Sequence, residues 1–208
     1  MQNLVLIRHG ETVGKSSERL YGQTDIELSD IGKKQMQLAG QVMTNEAFDF
    51  VITSPLIRSI VGAELVLNGR SFEPIVIEDF TEINFGAWEG LTIPEVELKD
   101  PDKFKEWKLN GLNFRFPDGD YKKDFFNRIQ NTAIREFNNR NGNIIAVLHK
   151  GVIKGVISAL LEKPLKDMEH YYIELGSIHR LYKNSHGWKL ATSNETNHLK
   201  EYRIPASR

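Results

Sequence analysis

Four apolar residues, Leu4-Val5-Leu6-Ile7, run straight into Arg8-His9-Gly10. A short apolar run with no polar interruption suits a strand buried on both faces. Strands of that kind belong to parallel sheets covered by helices, so the first ten residues already narrow the fold class. The residues that follow deliver a guanidinium and an imidazole to the carboxyl edge of the sheet, where open α/β sheets bind ligands. The arrangement recurs: Ile144-Ile145-Ala146-Val147-Leu148 ends in His149-Lys150-Gly151. If the two strands are parallel neighbours, His9 and His149 emerge side by side. One strand-end histidine is ordinary; two in matched positions point to a site.

The rest of the pattern agrees. The polar stretch 13–30 reads as an active-site loop. Ser29 caps a helix over about 30–45, with Met36, Ala39, Val42 and Met43 on its buried side and Gly32 and Gly40 weakening it. A strand over 48–53 leads to Ser54-Pro55, a capping hydroxyl before a proline at the first helical position. That helix carries Leu56, Ile60, Ala63 and Leu67, stops at Gly69, and holds Arg58 in its first turn, beside a terminus that favours anions. A short strand at 74–78 precedes a loop at 82–90 with two aromatics and two glycines. Trp107, Phe114 and Phe116 lie among charges in a mostly helical insertion, about 91–122, that closes at the turn Pro117-Asp118-Gly119. Phe125, Ile129, Ala133 and Phe137 mark a long amphipathic helix that stops near Gly142. A helix over 151–161 ends before Pro164. Strands at 177–183 and 188–192 are joined by Asn184-Ser185-His186-Gly187. The expectation is an α/β protein: three α/β/α layers around a mainly parallel sheet, one domain over 1–208.

Composition removes several functions. The 27 basic and 28 acidic residues give a net charge of −1, so there is no basic field for nucleic acid. With no cysteine, disulfides and thiolate chemistry are excluded, and a reducing compartment is permitted. No apolar run approaches a membrane span, and the N-terminus lacks the pattern of a signal peptide, so a cytoplasmic protein is expected.

The chemistry follows from the groups gathered at the sheet edge: Arg8, His9, Arg58 and His149, with Glu82 nearby. Such cations repel one another unless an anion lies between them. Guanidinium forks match phosphate oxygens, so a phosphoryl group explains the cluster best. A neutral imidazole accepts phosphoryl groups well, which makes His9 the expected nucleophile. Arg8, Arg58 and His149 would steady the charge on phosphorus. Glu82, in a loop with apolar walls, would protonate the leaving alkoxide and then activate water. The arginines supply the positive charge, so neither a metal nor a cofactor is expected.

Leu6-Ile7-Arg8-His9-Gly10-Glu11-Thr12 resembles the signature of the histidine phosphatase superfamily, the phosphoglycerate mutase-like proteins. The resemblance continues through Arg19, Gly22, Asp25, Leu28 and Gly32, through Thr53-Ser54-Pro55-Leu56-Ile57-Arg58-Ser59, and through the acid-bearing loop 82–90. It ends with the second-histidine motif at 149–153 and a closing segment at 194–199. It implies a phosphoglycerate mutase-like fold, a phosphorylated His9, a phosphate pocket completed by Arg8, Arg58 and His149, and Glu82 as proton donor. It further implies substrate contacts from Lys15, Gly22, Gln23, Thr24 and Lys150, a small phosphorylated metabolite as partner, and a monomer or homodimer. Ile83-Asn84-Phe85-Gly86 after the acid, in place of the mutases' Arg-His-Tyr-Gly, and the short insertion favour the small phosphatases, α-ribazole and broad-specificity phosphatases among them. Phosphoglycerate mutase-type transfer is the alternative.

Three positions depart from the pattern. Lys15 stands where the family has Asn, Lys150 where it has Gly or Ala, and Gly119-Asp120-Tyr121 where it has Gly-Glu-Ser. The two lysines also fit a protein that holds a phosphoester without turning it over. Gly10-Glu11-Thr12-Val13-Gly14-Lys15-Ser16 resembles a P-loop, but has three residues between its glycines where that loop needs four. His170, His179, His186 and His198 lack metal-ligand spacing. His186 is expected in an exposed turn, and the resemblance gives His198 a role in bracing the active-site loops.

Overall fold

Successive side chains along β1 (Gln2–Arg8) go to opposite faces of the sheet, and both faces are covered. Leu4 and Leu6 join one apolar cluster, whereas Val5 and Ile7 join the other. The same alternation holds in β4 (Ile144–Leu148): Ile144, Ala146 and Leu148 face the first cluster, Ile145 and Val147 the second. This is why neither strand shows polar alternation in its sequence. The structure is a computed structural model and describes residues 2–205, apart from the side chains of Glu169 and His170; the expectation for His170 therefore lies outside the described residues.

The chain continues with α1 (Asp30–Val42), β2 (Phe50–Thr53), α2 (Ile57–Leu67), β3 (Ile75–Val76), α3 (Ile93–Lys99), α4 (Pro101–Asn110) and α5 (Lys122–Asn138). After β4 come α6 (Lys150–Leu160), β5 (Ile178–Asn184) and β6 (Gly187–Glu195). The six strands lie in the order β3-β2-β4-β1-β5-β6. The four from β3 to β1 are parallel, and β5 and β6 are antiparallel, which gives the mainly parallel sheet expected. Met36 and Ala39 of α1 and Ala63 and Val66 of α2 fill one layer. Phe125, Ile129 and Ala133 of α5 and Val152, Ile153 and Val156 of α6 fill the other.

Several local expectations need correction. Val42 is 40% exposed, because α1 ends there and leaves it at the rim. Gly32 does not merely weaken α1: a Cβ there would lie 1.9 Å from the Glu11 carbonyl, so glycine lets the helix start sit on the loop after β1. Ser54 does not cap α2. The helix begins at Ile57, whose N–H donates to Asp25 Oδ1 (2.8 Å), a cap supplied from a distant loop. α5 stops at Asn138, short of Gly142. Ser29 does cap α1, accepting from Gly32 N at 3.1 Å.

The insertion is helical. α3 opens with a capping box between Thr92 and Glu95, and α4 opens on Pro101. Its aromatics bind it to the 82–90 loop: Trp88, 1% exposed, packs on Trp107, Phe114 and Phe116 with ring centroids 5.5–5.7 Å away.

Candidate active site

The register of β1 with β4 pairs Arg8 with Leu148, so the next residues, His9 and His149, leave adjacent strands at the same level. Their ring centroids lie 5.1 Å apart, and His9 N donates to Leu148 O (2.9 Å). His9 Nδ1 lies 2.7 Å from Gly10 O. A carbonyl only accepts, so Nδ1 carries the proton and the Nε2 lone pair is free to act. Burial first, then Arg58 and Arg8, push the His9 pKa well below its ordinary 6.5, which keeps the ring neutral.

Arg58 is the second residue of α2 and is wholly buried. Its guanidinium donates to Thr24 O (2.9 Å) and Gly22 O (2.5 Å). Arg8 donates to Ile173 O (2.8 Å). Burial lowers both guanidinium pKa values, that of Arg8 to about 10, which leaves it charged at neutral pH. His149 is buried, and its Nε2 lies 2.6 Å from Ser54 Oγ. Burial, then Arg58, depresses its pKa well below 6.5. Arg8 Nε, Arg58 Nε and His149 Nδ1 are buried with no hydrogen-bond partner among the described residues. Orphaned buried polar groups are costly, and two guanidinium N–H donors beside a ring nitrogen in one cluster suit an anion site.

Glu82, 6% exposed, accepts from Ile83 N (3.0 Å) and from Gly151 N (2.8 Å) at the start of α6. A Cβ at residue 151 would come within 2.5 Å of the Glu82 carboxylate, so glycine permits this approach. Burial raises the Glu82 pKa above its ordinary 4.5, against the opposing pull of those two N–H groups and the arginines. That is the direction an acid needs to hold its proton near neutrality. Arg8, His9, Glu82 and Lys150 line one cavity of about 440 Å³, with Arg58 and His149 buried at the same cluster.

The remaining expected residues separate. Lys150 lines the cavity, and burial among its neighbours, then Arg8 and Lys154, lowers its pKa to about 8. Lys15 does not line it. Its backbone is left-handed (φ 62°), its side chain is 66% exposed, and its ammonium lies 3.8 Å from Glu18; the expected substrate contact is corrected to a solvent position. Gly22 and Thr24 offer their carbonyls to Arg58, and the Thr24 hydroxyl donates to Glu89 (2.6 Å). Gln23 faces a separate depression that also holds Asp79 and Asp124. Gly22 and Thr24 thus hold an arginine in place, and none of the three lines the cavity.

Sequence reasoning missed three residues. Ser54 was expected as a helix cap but orients His149. Glu89 accepts from Gly22 N, Gln23 N, Thr24 N and Phe85 N, at 3.0–3.3 Å, tying the Arg58 cradle to the acid loop. A carboxylate between glycine turns was its only trace in the sequence. Glu174 pairs with Arg203 (2.8 and 2.9 Å) and draws the C-terminal segment over the cavity, where Ile204 and Pro205 line it; nothing in the sequence marked that contact. His198 meets Gly176 O (3.0 Å), and Gly176 N donates to Arg8 O (3.1 Å), so it steadies the backbone behind the arginine. His186 lies exposed in its turn. Among the described residues, no helix is long and apolar enough to cross a membrane.

Known proteins resemble this arrangement along its whole length. The chain is 27% identical over 208 residues to phosphoserine phosphatase 1 of Hydrogenobacter thermophilus, covering 99% of this chain and 98% of that one. The α-ribazole phosphatase of Shigella flexneri superposes with a TM-score of 0.84 at 27% identity, over 93% of this chain and 96% of that one. The phosphoserine phosphatase of Entamoeba histolytica, solved with 3-phosphoglyceric acid, gives 0.79 at 30% identity, over 96% and 100%. Residues 4–196 match the family described as histidine phosphatase superfamily (branch 1). The strand-end histidines, the paired arginines and these likenesses together make the chain a member of the histidine phosphatase superfamily, with relatives that support phosphatase activity.

Proposed function

We propose that this protein is a phosphomonoesterase of the cytoplasm that hydrolyses a small phosphorylated metabolite through a phosphohistidine on His9. One observation carries the reading: the His9 Nδ1 proton is held by Gly10 O, which leaves Nε2 as a neutral nucleophile near buried Arg8 Nε, Arg58 Nε and His149 Nδ1, none of which has a hydrogen-bond partner among the described residues. In the first step Nε2 attacks phosphorus as the bond to the leaving alkoxide breaks. Arg8, Arg58 and His149 Nδ1 meet the charge on the phosphoryl oxygens. Glu82 gives its proton to the alkoxide. In the second step it takes a proton from water, which attacks phosphorus and releases inorganic phosphate and neutral His9. The guanidiniums supply the positive charge, so turnover is expected without added metal. The names of the relatives favour hydrolysis over phosphoryl transfer between positions of one substrate.

The test is p-nitrophenyl phosphate hydrolysis in EDTA. Turnover is expected, and His9→Ala should lose it, a fall on the order of 10⁶ for removal of a nucleophile. Acid-labile phosphate should be trapped on the native protein and not on the variant. Isomerisation of phosphoglycerate faster than its hydrolysis would overturn the choice of hydrolase.

A further inference from the structure

The sheet gives Glu82 little direct support. β3 contributes only Ile75 and Val76, and the segment is tied onward to its neighbouring strand by Ile77 N, which donates to Thr53 O (2.9 Å). Between Ile77 and the acid lie one 3-10 turn, Glu78–Phe80, and Thr81. A proton donor on so short a base needs a second anchor, because its catalytic value depends on placement to within about an ångström.

Helix α5 supplies that anchor. Arg128, Thr132 and Arg135 stand at i, i+4 and i+7, so they share one face, and all three meet the turn. Thr132 Oγ1 and Arg135 each donate to the Asp79 carboxylate at 3.0 Å, and Phe80 stacks on Phe137 with ring centroids 5.7 Å apart. Arg128 differs in where it takes hold. Its guanidinium donates to Asp79 O and, through both terminal nitrogens at 3.2 Å, to Thr81 O, the carbonyl of the peptide that enters Glu82. A planar fork of fixed donors sets the orientation of that peptide as well as its distance. The same guanidinium lies 5.2 Å from the Phe125 ring centroid. Phe125 packs beside residue 151, where a Cβ would come within 3.1 Å of its ring, and Gly151 N is a donor that holds the Glu82 carboxylate (2.8 Å). Arg128 thus touches both supports of the acid: the peptide before it, and the ring beside the N–H that grips it. It does not line the catalytic cavity, but lies in the separate depression shared with Gln23, Asp79 and Asp124.

We propose that Arg128 is a positioning residue for proton transfer: bound to Thr81 O and set over Phe125, it aims the Glu82 carboxyl at the leaving oxygen. This rests on the phosphatase reading and adds to it a residue that acts only through Glu82. Loss of Arg128 therefore slows esters whose leaving group needs a proton and spares those whose leaving group does not.

Two esters of similar shape read this. Phenyl phosphate releases a phenol with the acidity of a tyrosine side chain, a pKa of about 10, and needs a proton. The phenolate of p-nitrophenyl phosphate leaves without one. In Arg128→Met, kcat/KM for phenyl phosphate should fall by at least about tenfold, within the roughly 10²–10⁴ that outright loss of a general acid costs, and that for p-nitrophenyl phosphate by less than about threefold. In a Glu82→Gln background the same substitution should cost phenyl phosphate less than about twofold, because the group it positions is gone. Arg135→Met loosens the same turn at an exposed ion pair and should leave the ratio of the two esters unchanged. Where Arg128→Met gives no cooperative melt, Arg128→Lys, which keeps stem and charge but loses the fork, is read in its place, with a selective fall of at least about threefold. An equal fall on both esters, no fall on either, full additivity with Glu82→Gln, or the same selectivity from Arg135→Met overturns the role of Arg128 alone. A native protein that turns over neither ester overturns the phosphatase reading and takes that role with it.

Discussion

The floor of the cavity and its rim are built on different principles. On the floor, each functional side chain is fixed by backbone or by a buried neighbour: His9 by Gly10 O, Arg58 by Gly22 O and Thr24 O, His149 by Ser54, Glu82 by Ile83 N and Gly151 N. On the rim, Lys150, Lys154 and Lys108 are long side chains on helices, and Ile204 and Pro205 are held through one ion pair from the C-terminal segment. The floor is preorganised for one chemical step, while the rim admits variation without disturbing that step. Substitutions on the floor should therefore lower kcat for every ester, and those on the rim should change only which ester is preferred.

The sharpest test of the floor is Glu82→Gln. Loss of a general acid costs about 10²–10⁴, and kcat/KM for an alkyl phosphate should fall by that much. For p-nitrophenyl phosphate, whose phenolate leaves without a proton, the fall should be far smaller. The pH profile gives a second reading. Glu82 must be protonated to donate, so the rate falls as pH rises through its pKa, which burial places above the ordinary 4.5. His9 must be neutral, so the rate falls as pH drops through its pKa, which lies well below 6.5. The alkaline limb should vanish in Glu82→Gln, and the acid limb should stay.

Arg58→Met should lower kcat/KM by about 10²–10³ for every ester, as loss of one preorganised charge does. Because Gly22 and Thr24 lose their donor, the melting temperature should fall as well. An effect confined to one ester would move Arg58 from floor to rim.

Ser54→Ala leaves His149 Nε2 buried without a partner, at a cost of about 1–3 kcal/mol in stability by denaturant titration. A further loss of about tenfold in kcat/KM should accompany it as His149 loses its orientation. Lys15→Met should change neither quantity by more than about twofold, as expected for an exposed ion pair. A large loss there would return Lys15 to the cavity.

The sequence disclosed the floor better than the rim, for a physical reason. An apolar run ending in a histidine fixes that residue at the end of a buried strand, and two such runs fix the pair. Strand register then did what the pattern implied, and Arg58 followed from its place at a helix start. The misreadings fell where loops meet. Ser54 looked like a cap because Ser-Pro opens helices, yet its partner lies 95 positions away. Lys15 looked like a phosphate ligand by position, but a left-handed backbone turns it to solvent. Glu89 reaches 65–67 residues back along the chain, and no local pattern encodes such a contact.

Glu89 also governs what can diverge. By accepting from the 22–24 backbone and from Phe85 it joins the strap that grips Arg58 to the strap that carries the proton donor, so neither can shift alone. New substrates must be accommodated by the helical insertion and the C-terminal segment, which line the cavity through Trp107, Lys108, Ile204 and Pro205 and, among the described residues, share no bond with that carboxylate. A lineage of such enzymes can exchange one metabolite for another by redrawing the entrance, while the bond-breaking machinery is inherited intact.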